Sequence, residues 1–135
     1  AKRSHNFYWD KPSDEIAQHH IKHCGMCLPC IYRRVALDVV GLDDTVFVGT
    51  DINHGNPYDI DNLRQRRGRD YRTLLHFLRR GLNTDYIKAE LRANHITTDM
   101  GLEDYVMLIT HSYEQVILWV ARHGSARVKQ IAGIR

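Results

Sequence analysis

The stretch His23-Cys24-Gly25-Met26-Cys27-Leu28-Pro29-Cys30-Ile31-Tyr32-Arg33-Arg34 holds all three cysteines of the 135-residue chain. Two overlapping C-x-x-C pairs turn three thiolates toward one point, and Gly25 grants the backbone the tight turn between the first two. Clustered sulfur ligands of this kind point to a metal. Structural zinc takes four ligands in a tetrahedron, so with no fourth cysteine in the chain a histidine is the natural completion. His5, His19, His20 and His23 are the candidates. His23 adjoins Cys24, and neighbouring side chains diverge, which suits it better to a supporting role than to the metal itself. His19 and His20 stand far enough ahead of Cys24 to reach back. A thioredoxin-like redox pair, plain buried thiols and an iron-sulfur cluster are the competing readings of the same cysteines.

Residues 23 to 37, H-C-G-M-C-L-P-C-I-Y-R-R-V-A-L, resemble the C-terminal zinc motif of the 7-cyano-7-deazaguanine synthase (QueC) family, most of all its QatC-like variants from phage-defence operons. The likeness extends loosely from about Ser4 to Gly124 and is specific only over that motif. Where the family has an upstream cysteine after a serine, this chain reads Arg3-Ser4-His5-Asn6, so the resemblance makes His5 the partner of Cys24, Cys27 and Cys30 around a structural Zn2+. It also turns Arg33 and Arg34 toward a nucleotide-binding half as cofactor-binding residues, whereas the residues by themselves suit a carboxylate partner within the domain at least as well. The family's aspartate-rich loop falls on Gly41-Leu42-Asp43-Asp44 and Thr50-Asp51-Ile52, and its last helix on Tyr113-Glu114. The S-G-G-x-D-S phosphate loop of the family's N-terminal ATP-pyrophosphatase half does not occur in this sequence. The resemblance therefore implies that ATP and Mg2+ belong to a missing N-terminal half. The whole enzyme would be an ATP-dependent C–N ligase acting on a deazaguanine carboxylate, with this chain docking on that half or on a partner protein.

A length of 135 residues with 43% hydrophobic residues suits one domain with a core. The chain begins at Ala1 and has no 18-residue apolar run and no lipidation pattern, so it reads as a soluble, cytoplasmic piece of a larger protein, away from membranes. Three clustered cysteines do not make a disulfide framework, and reduced thiols fit them better.

Upstream of the cysteines, Phe7-Tyr8-Trp9 before Pro12 reads as an extended segment packed on the metal knuckle, with a short helix around residues 14 to 21. Beyond them the pattern turns helical. Pro29 suits a first turn, Ile31, Val35, Val39 and Val40 form an apolar stripe, and Gly41 supplies a stop. Residues 41 to 58, rich in glycine and aspartate, are loop-like, with strand character only in Thr45-Val46-Phe47-Val48. Their aspartates lack the spacing of a calcium loop, which favours capping and turn roles. A long helix is expected from about Asp59 to Arg80 with Leu63, Tyr71, Leu74, Leu75 and Leu78 inward and Gly68 weakening its middle. Another runs from Thr84 to about Ala93. Thr98 or Asp99 would cap the central helix from about Gly101 to His123, and Ser125 a short last one ended by Gly133.

The predicted fold is mainly α: a zinc-knuckle segment with its anchoring helix over residues 1–41, then a helical bundle over residues 42–135, together about five helices in one compact domain. The formal charge of +3 is mild, but Arg64, Arg66, Arg67, Arg69 and Arg72 gather in nine residues. Such a face suits nucleic-acid phosphates, and a stand-alone zinc knuckle binding nucleic acid is the alternative function. A solvated helix face explains the same arginines. The chain has no Gly-rich phosphate loop, no G-x-S-x-G and no H-E-x-x-H, and four protein ligands leave zinc no open position, so catalysis by this chain alone is not expected. A zinc deaminase is excluded because no C-x-x-C follows Pro29 in the way that chemistry requires.

Overall fold

Pro29 sets the first helix. In the computed structural model, which describes residues 23, 25–44, 51–54, 56–58, 68–94 and 101–135, helix α1 spans Leu28–Val39 with its proline in the opening turn. There the missing N–H removes no helical hydrogen bond. The helix closes on Gly41, whose φ of 70° lets the Gly41 and Leu42 amides fold back onto the carbonyls of Asp38 and Leu37 at 3.0 and 2.9 Å. Its buried face is Cys30, Ile31, Arg34 and Val35. Val39 and Val40, expected to continue that stripe, are 54% and 62% exposed. The stripe ends one turn early because the helix itself ends there and the chain turns away.

Helix α2, Arg69–Arg80, buries Tyr71, Leu74, Leu75 and Leu78 as their spacing predicts. Gly68 is its N-cap rather than a weak point in its middle. The expected earlier half, with Leu63, lies outside the described residues. Helix α3, Thr84–Ala93, is capped by Asn83, whose Oδ1 accepts from the Tyr86 amide at 3.0 Å. Helix α4 runs from Leu102 to His123 and is the longest, at 22 residues. Gly101 holds its N-cap without a side-chain bond, and Thr98 and Asp99, expected to cap this helix, lie outside the described residues. Glu103 and Asp104 in its first turn and Arg122 and His123 in its last complement the helix dipole. Helix α5, Ala126–Ala132, has Ser125 as its cap and left-handed Gly133 as its stop, as expected.

Helix α4 is the hub. It packs on α1, α3 and α5, while α2 lies against α5 and α1. The shared core draws Ile31 and Val35 from α1, Tyr71, Leu75 and Leu78 from α2, Val116, Trp119 and Val120 from α4, and Val128 and Ile131 from α5. One apolar cluster therefore spans both sides of residue 41. The protein is all-α, with no strand among the described residues, and the Thr45–Val48 segment falls outside them. Among the described residues no helix is long and apolar enough to cross a membrane.

The last helix is short, so its cap matters. The Val128 amide donates to Ser125 Oγ at 3.2 Å, and the Ser125 amide donates to the Asn53 carbonyl at 2.7 Å. Ser125→Ala keeps the second bond and loses the first. It is expected to destabilise the fold by about 1 kcal/mol, read as a lower urea midpoint at unchanged slope.

Candidate metal centre and the arginine beside it

Gly25 adopts φ of 71°, a backbone conformation open to glycine and strained for most side chains. Two residues on, Cys27 stands as the N-cap of α1 in extended geometry with no side-chain capping bond, and its carbonyl accepts from the Ile31 amide at 3.0 Å. Cys30 follows in the first helical turn. Both side chains are buried. A helix N-terminus favours negative charge, so this placement suits thiolates, which are the form that binds metal. The donor chemistry is soft sulfur in a dry setting, matching zinc or an iron-sulfur cluster and not magnesium or calcium. His23 is half-buried at the edge of this turn. Cys24, His5, His19 and His20 lie outside the described residues, and among those described no three metal-binding side chains come together. Cys27 and Cys30 are thus donors of the type that the sequence motif would set around a metal.

One turn beyond Cys30, Arg34 is buried and serves the domain itself. Its Nε donates to Asp43 Oδ2, and its two terminal nitrogens form a fork on Asp51 Oδ1 and Oδ2, each bond 3.0 Å long. The guanidinium also lies over the Trp119 ring, 5.3 Å from its centre. Burial disfavours the charge on Arg34, but the hydrogen bonds and charges of Asp51 and Asp43 outweigh it and raise the pKa. For Asp51 burial likewise opposes ionisation. The bonds from Arg34 and from the Asn53 amide, and then the charge of Arg34, hold its carboxyl below the ordinary value. Arg33, the other candidate, is exposed.

From Asp51 the network continues inward. The Asn53 amide donates to Asp51 Oδ1 at 3.0 Å, and Tyr71 Oη donates to Asn53 Oδ1. Burial drives the Tyr71 phenol well above its usual range. Asn53 Nδ2 and Trp119 Nε1 are buried donors without a hydrogen-bond partner among the described residues, so this corner is both polar and tightly enclosed. The sequence marked the glycine and aspartate loop as turn-forming. It did not disclose that Asp43 and Asp51 close on Arg34 from positions 9 and 17 residues away. The one available signal was an arginine on the apolar face of α1, in step with Ile31 and Val35. Tyr71→Phe is expected to cost about 1–3 kcal/mol, since it strands the Asn53 oxygen in a dry site while leaving the ring in place. A denaturant titration reads that loss.

Arg69 is exposed on α2, while Arg72 crosses the Tyr58 ring at 5.3 Å and donates to the Pro57 carbonyl. Arg64, Arg66 and Arg67 lie outside the described residues. Tyr113 Oη donates to the Leu78 carbonyl at 2.8 Å, which fastens α4 to α2, and Glu114 is exposed. At the far end of α1, Asp38 accepts from Arg122 at 2.6 Å and meets His123 Nε2 at 2.7 Å. Comparison of the chain with protein-family models, curated proteins and solved structures finds no match to any of them.

Proposed function

We propose that the chain is the zinc-bearing helical C-terminal region of an enzyme resembling the QueC and QatC-like proteins, possessing a structural zinc held by Cys24, Cys27, Cys30 and His5. The observation that carries the reading is the run of Gly25 at positive φ, Cys27 at the helix cap and Cys30 in the first turn, two buried thiols opening one helix. Arg34, which the resemblance turned toward a nucleotide, is instead held by Asp43 and Asp51 of its own chain, so the reading rests on the cysteine turn. In this reading ATP and Mg2+ belong to a separate N-terminal half, which activates a deazaguanine carboxylate for C–N bond formation. This chain contributes a helical wall, with exposed Arg33 about one turn beyond Cys30 on α1. The place is cytoplasmic, and the partner is that ATP-binding half or a subunit in its stead. Phage defence is the setting suggested by the QatC-like variants.

Elemental analysis tests the metal: one zinc per purified chain is expected, falling toward zero in Cys27→Ser and in His5→Ala. Iron in place of zinc, or neither, sinks the reading. A reading frame continuous with Ala1 that encodes S-G-G-x-D-S upstream supports the parent enzyme, and a stop codon directly before Ala1 removes it.

A further inference from the structure

Helix α4 turns a second face away from the core. Glu103, Met107, His111, Glu114, Leu118 and Arg122 are all exposed, and their spacing of four or three residues places them in one stripe, opposite buried Val106, Val116, Trp119 and Val120. Met107 and Leu118 are 65% and 58% exposed, which neither the core nor the helix dipole accounts for. The order of residues is the informative part. Turned end over end about the midpoint between Ser112 and Tyr113, the stripe sets Glu103 against Arg122, Met107 against Leu118 and His111 against Glu114. Every pair so formed is apolar with apolar, or a carboxylate with a basic or ionisable group.

We infer that this stripe is a self-complementary interface, on which a second copy of the chain docks its own α4 antiparallel about a two-fold axis near residues 112 and 113. An isologous contact demands that the surface match itself reversed, and the stripe meets that demand at all six positions. The two outer groups have partners within their own chain and still face water. Glu103 bonds Lys88 at 2.7 Å with 75% of its side chain exposed, and Arg122 bonds Asp38 with 56% exposed. Each can add a partner across the axis without giving up the first. Twenty-two residues make a helix about 33 Å long, so the contact is of small area and the association weak and concentration-dependent. Charge sets the antiparallel register, and the two apolar pairs supply the attraction.

Sedimentation of the whole chain across roughly 10 µM to 1 mM tests this, a range chosen for a small interface. The expected result is a rise from the 15.8 kDa monomer toward twice that mass. Leu118→Lys is expected to weaken association at least tenfold with an unchanged helical circular dichroism. Glu114→Lys sets a lysine against His111 and weakens it too, while the double variant His111→Glu/Glu114→Lys restores the pair and the association. A chain that stays monomeric at 1 mM overturns the inference. So does a dimer indifferent to Leu118→Lys, or a double variant no better than Glu114→Lys alone.

Discussion

Stripping zinc from the chain with a chelator is expected to collapse its cooperative fold, seen as loss of most helical circular dichroism and of any sharp thermal transition. Structural zinc contributes on the order of 10–16 kcal/mol in small zinc-binding peptides, whereas a whole domain is stable by only about 5–15 kcal/mol. The cysteines make this more than local. Cys27 and Cys30 belong to the same apolar cluster as Ile31, Tyr71 and Trp119, so thiolates released from a metal would be buried charges inside the core. Readdition of Zn2+ should restore the fold and Mg2+ should not, because hard cations prefer oxygen. A spectrum untouched by the chelator would show that the cysteines are ordinary core residues.

Arg34→Met is expected to cost about 3 kcal/mol at pH 7, the lower end for breaking a buried ion pair, because Asp51 keeps 21% of its side chain in water. The methionine fills similar space over Trp119, so the loss reports on the carboxylates. The pH dependence has a definite sign. In the native chain the Asp51 carboxyl lies below its ordinary 3.8, so its contribution is complete above about pH 4 and fades as pH falls through the folded value. In the variant burial remains and the arginine does not, which raises that carboxyl above its unfolded value and makes its ionisation destabilising. The gap in stability between the two proteins should therefore be widest near neutrality and narrow below about pH 4. Urea midpoints taken across that range decide it. A constant gap would mean that Arg34 acts through packing alone.

The helices were legible because their signals are local. Spacing of Tyr71, Leu74, Leu75 and Leu78 fixed the inner face of α2, and Ser125 and Gly133 marked both ends of the last helix. The misplaced features were those decided by tertiary context. Val39 and Val40 have core chemistry and face water because α1 stops beside them. At the candidate centre the cysteine spacing was visible and the interior behind it was not. Whether Arg34 would face a nucleotide phosphate or carboxylates of its own chain depended on where a loop returns, and no spacing within α1 encodes that. Of the basic cluster, Arg72 lies over Tyr58 and donates to the Pro57 carbonyl, contacts that spacing did not disclose.

Arg34 sits one helical turn from Cys30 and grips both Asp51 and the face of Trp119. Sulfur end, returning loop and central helix are thereby fastened at a single rivet, and they should open as one body. Amide exchange at residues 30–35, 51–54 and 116–120 is expected to share a common opening free energy, so that a disturbance at the thiols is felt at once on the opposite side of the domain.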